Sequence, residues 1–425
     1  MSRKKLTLVA GLAVVALLTA ACGSSKSDSG SGSPGSTINA ATGTPILVGQ
    51  IAGLTGAVTA LPEAGTSMKA SIEALNNSGG INGHPLELNQ CDSKGEPSTE
   101  VECAKKMVSD HVVATLGDGT FYSSVQTQQI FTDAGIPRIG ITEADPTEYG
   151  AKTNFDFTGG GVFSLIGLMD VLINKGEKKV SIMIPDSPQS QQTHLLIDPI
   201  AQAQGVEVVN YVLVSSASGD YSQYVTQATQ NGAEGVVLAL GNAQLVQVAQ
   251  TMNQLKPNLQ VATGIAGFSL DQLKQLGEFA TSANFAWWTP GIDDTANFPG
   301  LEEPLSAMTT YINGASVNTL TSVSLSSWLS VHAFAEVMKS QTAEPTAATV
   351  LAAFRAAKNI PMNGIIKPWT PAAYVSAGNF SSIFANVSNP WMYNIKYDGT
   401  STSSSPTDVF NTFTGLPGTT PTTGG

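Results

Sequence analysis

Five short loops hold most of the groups in this chain that could do chemistry. They are Thr55-Gly56, residues 119–124 (Gly-Thr-Phe-Tyr-Ser-Ser), residues 142–145 (Thr-Glu-Ala-Asp), residues 186–189 with Gly241-Asn242, and residues 264–268 (Gly-Ile-Ala-Gly-Phe). Each follows a β-prone run and several open onto a helical pattern, so hydroxyls and backbone N–H groups gather at electropositive helix starts. Such loops suit a carboxylate or another polar oxygen. They lack what covalent or hydride chemistry requires. Gly49-x-x-x-Gly53-x-x-Gly56 follows a strand, but Ile51 stands where a dinucleotide fingerprint needs its second glycine. No Gly-x-Ser-x-Gly elbow, His-Glu-x-x-His pair, Cys-x-x-Cys site or Gly-x-x-x-x-Gly-Lys phosphate loop occurs. His84, His111 and His332 read as structural, and only His194 lies near a candidate loop. No metal, cofactor or catalytic residue is expected, and the pattern favours binding over catalysis.

The elements that must position these loops alternate. Residues 46–51 read as a strand, and Ala64, Met68, Ile72 and Leu75 then share one helix face. That helix ends at Asn76-Asn77-Ser78-Gly79-Gly80, and a turn leads to a strand at 86–92. A helix over 98–110, a strand at 112–116, a helix to 134 and a strand at 136–141 continue the rhythm. After Gly159-Gly160-Gly161 it starts again, with a helix over 162–174 and strands at 180–184, 206–214, 235–240 and 259–263. Strand–helix alternation at this spacing predicts an α/β fold with doubly wound parallel sheets in two lobes. In such sheets ligands bind at the carboxyl ends of the strands, where all five loops fall.

The ends of the chain differ from its body. Arg3, Lys4 and Lys5 precede an apolar run from Leu6 to Leu18, then Thr19-Ala20-Ala21-Cys22. This predicts a secretory signal ending in a bacterial lipobox, with cleavage before Cys22 and lipidation of its thiol; an unlipidated signal peptide is the other reading. The Gly/Ser/Pro stretch after it reads as a flexible tether on the outer face of the membrane, and the Thr/Pro/Gly C-terminus as a flexible tail. Of three cysteines, Cys91 and Cys103 remain as a pair. In an exported protein a disulfide is expected of them, and two buried free thiols are the alternative. The net charge is −12, and loss of Arg3, Lys4 and Lys5 makes it more negative still. A surface of that sign excludes nucleic acid as a partner.

The run "VGQIAGLTGA…AGTSMKASIEALNNSGGINGHPLEL…CDSKGEP" resembles the opening of the periplasmic binding proteins for leucine, isoleucine and valine, the type I solute receptors of ABC importers. The resemblance implies two doubly wound lobes joined by a three-segment hinge. Its expected divisions are a signal at 1–21, a linker at 22–44, lobe one at 45–157, lobe two at 158–284, returns to lobe one at 285–362 and to lobe two at 363–412, and a tail at 413–425. It implies a monomer that captures a small molecule between its lobes and delivers it to an ABC permease and its ATPase. A lipoprotein of the same fold that signals to a membrane partner is the alternative.

For the site, the resemblance implies ligand contacts from Thr120, Phe121, Tyr122 and Ser123, from Thr142, Glu143 and Ala144, from Gln189, and from Gly241, Asn242, Gly264 and Phe268. The family's serine-rich loop receives an amino acid's carboxylate, and its fifth loop offers an acid to the ammonium. Here the fifth loop, 264–268, contains no acid. Glu143 could take that place from the opposite lobe. A ligand without an amine, such as an apolar carboxylic acid or amide, suits Phe121, Tyr122, Phe268 and Trp288 better.

Overall fold

The structure is a computed structural model and describes residues 40–56, 60–187, 190–215, 217–414 and 416. The proposed signal, Cys22 and Gln189 therefore lie outside the described residues. The first sheet starts with β1 (Ile46–Ala52), which is buried along nearly its whole length, as an interior parallel strand requires. Helix α1 (Pro62–Asn77) follows, with a proline in its first turn. The chain leaves it through Gly80, at φ +64°, where a Cβ would lie 2.3 Å from the His84 carbonyl oxygen. Only glycine fits there. Next comes β2 (Leu86–Asp92), parallel to β1 with Ile46 opposite Leu86.

Helix α2 (Pro97–Ser109), β3 (Thr115–Leu116), α3 (Ser124–Ala134), β4 (Arg138–Ile139), α4 (Pro146–Tyr149) and β5 (Asn154–Phe155) complete a parallel sheet in the order β2-β1-β3-β4-β5. A disulfide joins Cys91 at the end of β2 to Cys103 on α2, with the Cα atoms 5.7 Å apart.

The second sheet is built from α5 (Gly160–Ile173), β6 (Lys179–Pro185), α6 (Thr193–Ala203), β7 (Glu207–Val214), α7 (Ser222–Ala228), β8 (Gly235–Leu238), α8 (Asn242–Leu255) and β9 (Gln260–Thr263). Helices α9 (Leu270–Leu276) and α10 (Glu278–Ser282) lead to β10 (Asn284–Trp287), and β11 (Trp391–Tyr397) and β12 (Thr402–Asn411) finish the order β12-β11-β10-β9-β8-β6-β7.

The second sheet is parallel from β7 to β10, as expected, and two details differ. The sheet is mixed, because β11 runs antiparallel to both β10 and β12. Strands joined by a short turn pair this way without a crossover helix. The strand expected to open the return to lobe one at 285 is β10, which pairs with β9 in the second sheet. The return therefore comes after Trp287.

Helices α11 (Glu302–Tyr311), α12 (Ser322–Lys339) and α13 (Ala347–Ala356) follow β10. Ser327 of α12 donates to the Ala64 carbonyl at 3.1 Å, and Asn77 donates to the Tyr311 hydroxyl at 3.0 Å, which fixes α11 and α12 against α1. The passages between sheets are tied to one another. Ser388 donates to the Asp156 carbonyl at 2.9 Å and Asn389 to the Phe157 carbonyl at 2.5 Å.

Candidate ligand-binding site

The carboxyl ends of the second sheet face residues 142–146 of the first across a cavity of about 600 Å³. Its walls are apolar. Val162, Leu165 and Leu168 come from α5, Leu196 from α6, Leu240 from the loop after β8, and Trp287 from β10. Helix α5 is hydrophobic on nearly all sides, so one side can seal the sheet while another lines the cavity. Beside the cavity, Leu195 keeps 61% of its surface exposed.

The first lobe contributes a buried polar network instead. The Arg138 guanidinium is fully buried and donates to Asp118 at 3.2 Å, Gln128 at 2.9 Å, Glu148 at 3.3 Å and Thr120 at 2.7 Å. Thr120 in turn donates to Glu148 at 2.9 Å. The two residues before α3 are tied down from within. The Ser123 N–H donates to Glu100 at 2.8 Å, the Tyr122 N–H donates to the same carboxylate at 3.4 Å, and the Ser123 hydroxyl donates to the Pro97 carbonyl at 3.0 Å.

Burial pushes Glu100 up to about 7, against the pull of those N–H groups. Burial likewise raises Asp156 to about 7, and Glu143 well above the carboxylate range with help from the nearby Asp156 charge. The N-terminus of α5 is also occupied, since Gly161 donates to the Glu143 carbonyl at 2.7 Å and Val162 to the Tyr149 hydroxyl at 3.2 Å. Among the described residues no cluster of His, Cys, Asp and Glu is placed to hold a metal.

A model of the periplasmic binding protein family matches residues 45–376. The chain belongs to that family. Its members are solute-binding proteins rather than enzymes, and they work outside the cytoplasmic membrane. This binding protein is 25% identical over 267 residues to Leu/Ile/Val-binding protein homolog 3 of Brucella melitensis biotype 1, covering 62% of this chain and 72% of that one. Its fold resembles a fatty acid ABC transporter substrate-binding protein from Thermomonospora curvata, with a TM-score of 0.72, 15% identity, and 88% and 94% of the two chains covered. It also resembles an R. palustris solute-binding protein solved with 4-hydroxybenzoate, with a TM-score of 0.68, 15% identity, and 86% and 97% covered.

Within this binding protein the residues expected at the site divide into two groups. Thr142, Ala144, Asn242 and Gly264 line the cavity, and Gly241 caps α8 beside it. Thr120 and Ser123 do not line it, because their hydroxyls are spent on Glu148, Arg138 and Pro97. Phe121 packs near Gly119 and the Tyr122 ring near Gly95, both outside the cavity wall.

Glu143 is neither a solvated surface charge nor a lining residue; it is 1% exposed, and its Oε2 has no hydrogen-bond partner. Phe268 is core, packed edge-on against Phe285 at 6.2 Å. His194 bonds the Gln191 carbonyl at 3.0 Å and does not line the cavity. Trp288 lies behind the wall and donates to Ser164 at 2.9 Å, while its neighbour Trp287 lines the cavity. Adjacent residues of a strand face opposite ways, so the pair splits between core and site.

Proposed function

We propose that the protein is the lipid-anchored solute-binding component of an ABC importer, capturing a small molecule between its lobes and presenting it to a permease. The observation that carries this is the cavity itself, set where strand ends of the second sheet meet the 142–146 segment of the first. Thr142, Ala144, Asn242, Gly264 and Trp287 are the contacts we assign to the ligand. The division into lobes at 45–157, 158–287, 288–362 and 363–412 gives three passages that would act as the hinge. A ligand touching both lobes stabilises the closed form, and the closed form docks on the permease. Cys22 would carry the lipid, and the monomer would be the working unit.

In-cell cross-linking of the full chain, followed by identification of its membrane partner, tests this. Recovery of an ABC permease is the expected result. Recovery of a receptor kinase without a permease would overturn it in favour of signalling. Mass spectrometry of the mature N-terminus should find a diacylglyceryl group on Cys22.

A further inference from the structure

We propose that the ligand of this cavity is an uncharged, largely apolar molecule whose polar part is a single hydroxyl, carbonyl or amide. This deepens the solute-receptor reading and rests on it.

The charge inventory of the wall comes first. No Lys, Arg or His among the described residues lines the cavity, and Asp145 is the one acid that does. Asp145 is already committed as the cap of α4, accepting from the Thr147 N–H at 2.8 Å and the Thr147 hydroxyl at 2.7 Å. A ligand carboxylate would enter without a cation to meet it, and a ligand ammonium would meet only the half-buried Asp145, whose Oδ1 is shared with the Thr147 N–H and hydroxyl. Removing either charge from water without a partner is strongly unfavourable.

Helix N-termini are the other seats for an anion, and the one that α5 brings to the wall is taken. The N–H groups of Gly160, Gly161 and Val162 at the start of α5 donate to the Thr158 hydroxyl, the Glu143 carbonyl and the Tyr149 hydroxyl. Behind the lobe-one wall stand Asp118, Glu143, Glu148 and Asp156, with Arg138 as the one buried cation bonded into that group. Arg138 is thus spent inside the lobe and is not available to a ligand anion.

Those acids do not create a cation site either. Glu143 is buried, is raised by desolvation and by Asp156, and does not reach the wall. Its Oε2 and the Asn154 Oδ1 both lack partners, and both are acceptors unless the carboxyl carries a proton. A protonated Glu143 has no charge to offer an ammonium. What the wall does offer is a large apolar surface, with Thr142, Thr193 and Asn242 for one neutral polar group.

The test is calorimetric titration at pH 7.5 of the full chain carrying Cys22→Ser, which leaves it unlipidated. The probes are matched hexyl and phenyl compounds, each as primary amide, alcohol, carboxylate and ammonium, with leucine as the zwitterion. The expected result is that an amide or alcohol binds at least 30-fold tighter than the charged compounds of the same skeleton. Leu240→Lys, which places a cation in the wall, should improve the carboxylate at least 10-fold and weaken the neutral partner. Leu195→Lys serves the same purpose if Leu240→Lys does not fold.

A carboxylate, ammonium or leucine that binds the parent chain more tightly than its neutral analogue overturns the inference and leaves the receptor reading standing. Absence of binding across the panel also overturns it. The receptor reading is then judged by the permease cross-link, which does not depend on these probes.

Discussion

The two lobes meet the cleft with opposite chemistry. The first brings a closed set of charges and hydroxyls, with Arg138, Asp118, Glu148, Thr120 and Gln128 bonded to one another. The second brings α5, α6 and strand ends whose side chains are almost all apolar. A polar group already paired inside the protein has little to give a ligand, whereas an apolar surface held open to water gains by being covered. Most of the cavity wall therefore belongs to the second lobe, and the first adds residues 142–146. Polarity in the sequence marked where the scaffold is pinned, and the contact surface lies among residues that read as core.

Breaking the pinned side should have the largest effect. Arg138→Met leaves Asp118 and Glu148 without their cation in a site from which water is excluded. Loss of one partner of a buried ion pair costs roughly 3–5 kcal/mol. Urea denaturation should show that loss in full. The double change Arg138→Met with Glu148→Gln should recover part of it, because one orphaned charge is removed as well. A loss below about 1 kcal/mol would mean that the network is not what pins this lobe.

Acidity gives the next effect. Glu100 and Asp156 titrate near 7 in the folded protein, against ordinary values of 4.5 and 3.8. Between these limits the folded state holds protons that the unfolded chain has released. Raising the pH then favours unfolding, since the state with fewer bound protons gains. Stability should fall by roughly 5 kcal/mol between pH 5 and pH 8, about half from each group. Burial raises Glu143 and Glu148 too, so they act in the same direction. Melting curves across this range check the sign, and Glu100→Gln should flatten the slope. A melting temperature that rises with pH would contradict the buried placement of these acids.

The same contrast explains what could be read from the chain alone. The β1–α1–β2 unit was legible because apolar spacing, Gly80 and the turn at 81–85 agree locally. Ladder pairing in β3 and β4 is confined to two residues each, so the apolar runs at 112–116 and 136–141 overstated the strands. Glu100 stands in the first turn of α2, and its hold on Tyr122 and Ser123 depends on how two helices pack. Residues 287 and 288 are both tryptophan, and nothing local says which face of β10 meets the cavity. Leu165 and Leu168 carry the same signal as a core leucine. A binding surface made of apolar residues is indistinguishable from a core until the fold shows which side stays open.

The smallest effect separates the two lobes most cleanly. A Cβ at Gly264 would lie 2.9 Å from Cζ3 and 3.0 Å from Cε3 of Trp287, inside the cavity wall. Gly264→Ala must therefore move the indole ring, which has open space on the cavity side. The cost should fall on the ligand, with affinity down about tenfold, or about 1.4 kcal/mol, and stability changed by less than about 0.5 kcal/mol. Gly140 in the first lobe is the counterpart. It has φ +67°, and a Cβ there would lie 2.2 Å from the Ser330 hydroxyl and 2.7 Å from the Phe157 ring, with no cavity to yield into. Gly140→Ala should lower stability by about 1–3 kcal/mol and leave the affinity of the surviving folded protein unchanged. Calorimetric titration and denaturation of the two variants side by side read both quantities. If Gly264→Ala lowered stability as much as Gly140→Ala, Trp287 would be a packed core residue, and the open face would have to lie elsewhere.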